Sequence, residues 1–290
     1  MTVTIRSVRT GDISLEIAEA GAGGRPLLMV HGFTGAKEDF ADFFDRLAER
    51  GWHVVAPDLR GHGASDHPSR PQDYSLDLFE ADVLALVDDL GWDRFVLLGH
   101  SMGGMISQAI ALHDPGRLDG LVLMDTVPDA PSVGGGAAML VFKVAARAFG
   151  MKGMARLLRK PPPGSPESVR RLYAERPGYG EWNRSKVLAT SPVMARAMTA
   201  ELATLADRVP ELRSLDLPVL VIAGEHDISG FVVGSQRMAA AIPGATLAVL
   251  PGAAHNPQLE TPDAWWATLT TFLDALPSAP SPAPETEGTT

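Results

Sequence analysis

"LLGHSMGGMISQ", residues 97–108, sets a short apolar strand directly against a serine flanked by glycines and then starts a helix. Gly99, Gly103 and Gly104 crowd around Ser101, although each glycine costs backbone entropy on folding. The crowding makes sense if Ser101 sits at the tip of a tight strand-to-helix turn, strained in its backbone. A side chain at 99 or 103 would then collide with neighbouring elements. Such a turn lifts the hydroxyl above the sheet edge. The helix beginning near Met102 offers free N–H groups and its positive dipole end beside that hydroxyl. This is an oxyanion-binding geometry; the alternative is a glycine-rich junction of purely structural purpose, and the surrounding sequence decides between them.

Outward from this turn, strand patterns alternate with helix patterns. "PLLMV" (26–30), "HVVAP" (53–57), "RFVLLG" (94–99), "GLVLMD" (120–125) and "PVLVIAG" (218–224) are short, nearly continuous apolar runs. Runs of that kind are strands covered on both faces of a parallel sheet, and "TLAVL" (246–250) closes the series. Val3–Val8 and Ile13–Glu19, parted by a Gly-Asp turn, predict an antiparallel hairpin at one edge. The clearest helix runs from Leu76 to Leu90, with Leu76, Phe79, Val83, Leu86, Val87 and Leu90 at helical spacing, Ser75 as N-cap and Gly91 as stop. The alternation implies right-handed crossovers and an α/β fold: a doubly wound, mostly parallel eight-stranded sheet that binds ligands beyond the strands' carboxyl ends.

One segment breaks the rhythm. From Pro128 to Val209 no strand-like run occurs, and helical patches are separated by "PPPGSP" and "RPGYG". The expected organisation is a core of residues 1–127 and 210–276, an inserted helical cap over 128–209 and a disordered tail over 277–290. The tail lacks large apolar residues and cannot offset the entropy of ordering. Met139, Phe142, Met151, Met154, Trp182, Met194 and Met198 make the insertion apolar and deformable, which suits a pocket for hydrophobic acyl or ring substrates as well as ordinary packing. Lys143–Lys160 holds six basic residues and no acidic one; a solvated helix face is the expected reading, ahead of an anion-attracting or lipid-facing surface.

Composition narrows the function classes. A net charge of −10 argues against a nucleic-acid partner, since phosphate binding needs clustered positive charge. With no cysteine there is no disulfide framework or thiolate nucleophile, and the reducing cytosol (a cytoplasmic location) is the expected compartment. The N-terminus alternates like a strand and has no signal-peptide h-region. The most apolar stretch, Ala137–Phe149, is interrupted by Lys143 and Arg147, so stable membrane insertion is not expected.

"GHSMGG" after a buried strand, with "VHGF" upstream and "GEHD" and "AAHN" downstream, resembles the α/β-hydrolase family over nearly the whole chain. "DLRGHGASD" and "AAHNPQLE" are most similar to its small cap-bearing serine hydrolases: enol-lactonases, haloperoxidase-type esterases and meta-cleavage product hydrolases. The resemblance implies a nucleophile, acid and histidine in that order. Serine is a weak nucleophile and needs a base, itself oriented by a third group. The expected triad is Ser101, Asp227 and His255, with Asp125, ending "GLVLMD", as the competing acid. His100 is expected to pack beneath the turn, and Glu225 and His226 to be loop residues. The resemblance places the oxyanion hole at the backbone N–H groups of Met102 and Phe33, with His31 tying that loop down. "DLRGHGASD" is expected to buttress the loop, with Asp58 and Arg60 paired to each other.

These parts imply hydrolysis of a small hydrophobic ester or lactone through an acyl-enzyme, with no cofactor and no metal. Carbon–carbon hydrolysis of a ketone on the same serine is the alternative enzyme reading. A non-catalytic ligand-binding protein on this fold is the alternative outside enzymes.

Overall fold

The computed structural model describes residues 2–130 and 150–277. Eight strands form one sheet: β1 (Thr4–Thr10), β2 (Ile13–Ala20), β3 (Arg25–Val30), β4 (Trp52–Pro57), β5 (Phe95–His100), β6 (Leu118–Met124), β7 (Val219–Gly224) and β8 (Thr246–Leu250). Their spatial order is β1-β2-β4-β3-β5-β6-β7-β8. The hairpin β1–β2 and the β2–β4 pair are antiparallel; every later pair is parallel. The eight expected strands are all present.

Among the described residues the helices follow in the order α1 (Phe44–Ala48), α2 (Leu76–Asp89), α3 (Met102–His113), α4 (Glu167–Glu175), α5 (Tyr179–Leu188), α6 (Pro192–Leu202), α7 (Val209–Leu212), α8 (Ser229–Ala241), α9 (Pro257–Glu260) and α10 (Pro262–Ala275). Residues 150–157 are also helical. As its sequence predicts, α2 is capped by the Ser75 side chain, which accepts from Leu78 N–H, and Gly91 follows with φ 67°.

Alternation along each strand divides the core in two, because successive side chains point to opposite faces. Leu28, Val30, Leu97, Leu121 and Leu123 pack on one face with α2, α3 and α8. Leu27, Met29, Leu98, Val122 and Ile222 pack on the other with α1 and α10. The central strands therefore have no polar face to show. Each apolar side chain buried this way contributes about 1.5–3 kcal/mol, before the entropy of ordering is set against it.

Between β6 and β7 no strand occurs among the described residues. Helices α4–α6 rest on loops that leave the carboxyl ends of β3 and β4. Arg176 pairs with Asp42 and Lys186 with Asp39, both on the 3₁₀ segment Lys37–Phe43, while Ser191 N–H donates to Gly61 O at 2.7 Å. Met194 and Met198 of α6 join the α2–α3 core. Of the expected tail only Pro277 is described; residues 278–290 and the positions Met139, Phe142, Lys143 and Arg147 lie outside the described residues. No helix among the described residues is long and apolar enough to cross a membrane.

Candidate active site

Ser101 joins β5 to α3 with φ 54° and ψ −116°, a conformation L-residues adopt only under constraint. The glycines expected to make room do so. A Cβ on Gly99 would lie 2.3 Å from Ser107 Oγ and 2.4 Å from Gly103 O; one on Gly103 would lie 2.3 Å from Val30 O and 2.6 Å from His31 O. The turn is pinned on both sides, because Ser101 N–H donates to Met124 O and Thr126 Oγ1 donates to Ser101 O.

His255, on the loop after β8, stands between the other two expected residues. Its Nε2 is 3.0 Å from Ser101 Oγ and its Nδ1 is 2.9 Å from Asp227 Oδ2. Asp227 Oδ1 accepts Ile228 N–H at 2.7 Å, so the carboxylate accepts two donors and is fixed in the plane it offers the imidazole. An ionised carboxylate only accepts, so Nδ1 carries the hydrogen and Nε2 is left to accept from the serine. Burial lowers the proton affinity of His255, but the charge and hydrogen bond of Asp227 outweigh it and hold its pKa above the usual 6.5. The Phe231 ring packs edge-on against the imidazole, centroids 4.7 Å apart.

Two residues that no local sequence signal assigns hold the His255 loop. His100 packs beneath the turn, as expected, but it also donates from Nε2 to the His255 carbonyl at 2.6 Å. Burial pushes its pKa down to about 3, so it is neutral and has that one hydrogen to give. Glu260, on α9, accepts N–H groups from Ala254 and Asn256, either side of the histidine. Glu225 and His226 are half-exposed loop residues.

The loop after β3 faces the serine from the other side. Gly32 lets it approach, since a Cβ there would lie 3.0 Å from Ser101 Cβ. The N–H groups of Phe33 and Met102 donate to no acceptor among the described residues. Met102 is the first residue of α3, where an N–H has no intrahelical partner. His31 ties the loop down: its Nε2 accepts Leu59 N–H at 3.0 Å and its Nδ1 donates to Gly32 O at 2.8 Å. His62, fully buried, reaches Phe33 O with Nε2 at 2.8 Å. The buttressing expected of "DLRGHGASD" is thus present, but its ion pairing is not the expected one. Arg60 forks onto Asp82 of α2 at 2.5 and 2.7 Å, and Asp58 takes the Lys37 ammonium at 2.8 Å and Lys37 N–H at 2.9 Å. A guanidinium needs a coplanar carboxylate for two bonds, and the buried Asp82 supplies it, while Asp58 is already filled by Lys37 and Ala64 N–H.

Asp125, the competing acid, is fully buried at the end of β6 with φ 45°. It bonds Gly224 N–H at 2.7 Å and is not the partner of His255 Nδ1. Ligand atoms of Asp125, Asp227 and His255 lie within 4.8 Å of one another, a cluster with the donor types of a metal site. A cation there would take Nδ1 or the Asp227 oxygens from the hydrogen bonds they already make.

The α/β hydrolase fold model matches residues 25–262. The 3-oxoadipate enol-lactonase 2 of Acinetobacter baylyi is 31% identical over 265 residues, covering 88% of this chain and 91% of that protein. A hydrolase from Pseudomonas aeruginosa superposes with TM-score 0.77 at 32% identity, covering 94% of this chain and 99% of that one. The enol-lactonase of Burkholderia xenovorans gives TM-score 0.79 at 25% identity, covering 93% and 100%. A family match across most of the length, on a sheet of this order, makes the chain a member of the α/β-hydrolase fold family and a hydrolase.

Proposed function

We propose that this hydrolase cleaves a small carboxylic ester or lactone through an acyl-enzyme formed on Ser101. One observation carries the reading: His255 bridges Asp227 and Ser101 by two hydrogen bonds of 2.9 and 3.0 Å. His255 removes the serine proton as Oγ attacks the substrate carbonyl, and Asp227 stabilises the imidazolium that forms. The carbonyl oxygen gains negative charge and is held by the Phe33 and Met102 N–H groups, each worth a few kcal/mol of barrier. Collapse expels the alcohol, protonated by His255; in a lactone that alcohol stays tethered to the acyl group. Water, deprotonated by the same imidazole, then releases the acid. Two of the related proteins are enol-lactonases, which supports an ester or lactone carbonyl as the target. Helices α4–α6, seated over the carboxyl ends of the strands, are read as the cap that closes the pocket, and the lack of cysteine suits a reducing cytosol.

The test uses a fluorophosphonate probe and p-nitrophenyl acetate with the wild type and Ser101→Ala. Labelling and repeated turnover in the wild type, both lost in the variant, are expected. A single stoichiometric event without turnover would point instead to a binding protein. A panel of esters, lactones and dienoic ketones then separates carbonyl–oxygen from carbon–carbon cleavage.

A further inference from the structure

Asp125 is a buried acid for which the proposed chemistry has no use. Its backbone is held in the left-handed region at φ 45°, a feature shared among the described non-glycine residues only with Ser101. Its N–H donates to Ile222 O and its Oδ1 accepts Gly224 N–H, so the side chain is fixed between β6 and β7. Its Oδ2 is fully buried with no hydrogen-bond partner. Beside it stand Asp227 and His255, with one ligand atom of each of the three within 4.8 Å of the others. Glu260 adds a further negative charge from α9.

Two carboxylates with oxygens within 4.8 Å of each other in a buried site repel when both are ionised, which favours a proton on one of them. The hydrogen-bond inventory says which. Asp227 accepts two N–H groups, one of them from His255, and both favour its anion. Asp125 accepts one, and its second oxygen has nothing to accept. An oxygen bare of donors is the place for a hydrogen.

We propose that Asp125 is a neutral carboxylic acid whose Oδ2–H is directed at the Asp227 carboxylate, so that the two acids share one proton and present a single negative charge to His255. Asp125 is thereby a positioning residue: it acts on the imidazole through Asp227 and never meets the substrate. Its effect on turnover rests on the Ser101–His255–Asp227 reading, whereas its protonation does not. Burial and the charge of Asp227 both push its pKa well above the ordinary carboxylate range, in agreement with the geometry.

The decisive measurement is the infrared C=O stretch of a protonated carboxyl at neutral pH in wild type, Ser101→Ala and Asp125→Asn. The band is expected in the first two and missing in the third; its absence from the wild type overturns the proposal, whatever the activity of Ser101→Ala. Kinetics give an independent reading. An amide at 125 still donates, so Asp125→Asn keeps the acid limb of kcat/KM at the wild-type pH, whereas loss of an ionised neighbour would move it down by about one unit or more. Asp125→Leu, which removes the donor, lowers kcat by about ten- to a hundredfold with KM held, the worth of a hydrogen bond to a charged group. Should that variant fail to fold, the infrared band and the Asp125→Asn limb still decide. Ser101→Ala separates the two readings: if it still turns over ester, the triad reading falls while the band continues to report on Asp125.

Discussion

At the scale of single residues, the site opposes burial with hydrogen bonds and charge. Three histidines lie within one or two bonds of the reacting atoms, and their surroundings push them apart. His31 and His100 are driven neutral by burial, and each donates one hydrogen to a carbonyl. His255 is only partly buried, and there the Asp227 charge and hydrogen bond outweigh desolvation and raise its pKa above 6.5. In the proposed mechanism His255 must be neutral to accept the serine proton, so activity is lost as pH falls through the raised value. The acid limb of kcat/KM for an uncharged ester is therefore expected to have its midpoint above pH 6.5, the ordinary histidine value. A pH–rate profile checks this; a midpoint below that value would mean that burial, not Asp227, sets the proton affinity of the base.

At the scale of elements, five connections do the assembling: the loops after β3, β4, β5, β7 and β8 supply Phe33, His62, Ser101, Asp227 and His255 in turn. The helices above them are anchored by two ion pairs of different worth. Arg176–Asp42 is solvent-exposed and is worth at most about 1 kcal/mol. Lys186–Asp39 is enclosed, with side-chain exposures of 8% and 2%, and the ammonium also lies 4.1 Å from the Trp182 ring. Lys186→Met leaves a buried carboxylate with its charge uncompensated, a loss of about 3–5 kcal/mol. Urea unfolding is expected to show that loss in the single variant and a smaller one in Lys186→Met with Asp39→Asn. Equal losses would mean that the lysine stem and its packing on Trp182 matter more than the charge. This anchoring was not legible in the sequence, and neither was the Arg60–Asp82 fork. Partners 147 and 22 positions apart leave no periodicity, and "DLRGHG" offers Arg60 a nearer acid in Asp58 that Lys37 has already taken. By contrast, Ser101, Asp227 and His255 were legible because each sits where a strand ends, and a strand end in a parallel sheet has only one edge to go to.

At the scale of the whole molecule, the sheet was readable for the reason that makes it stable. Strands covered on both faces leave continuous apolar runs, and "PLLMV" and "PVLVIAG" show no alternation to confuse with helix. Less readable was how far the fold depends on neutral imidazoles buried between its loops. His62 is enclosed behind the Phe33 loop, and burial, followed by the repulsion of His31, pushes its pKa down to about 3. Its folded value is depressed, so the unfolded chain binds the proton more readily. Stability is unaffected well above the ordinary 6.5 and is lost as pH falls from there toward about 3. Integrated between pH 7 and pH 5, the loss from this one residue is about 2 kcal/mol. Other groups also titrate in that interval, and Asp125 and Glu260, with raised values, work in the opposite direction. The comparison that isolates His62 is wild type against His62→Gln, whose terminal amide reaches the position of Nε2, keeps a donor for Phe33 O and has no proton to gain. The wild type is expected to be the more stable at pH 7, and its lead to shrink by about 2 kcal/mol at pH 5 in chemical denaturation, as the charged histidine of the unfolded chain is favoured. A gap that stays constant across that interval would show that His62 is solvated enough to titrate in the folded state, and that the loop it braces is looser than its burial implies.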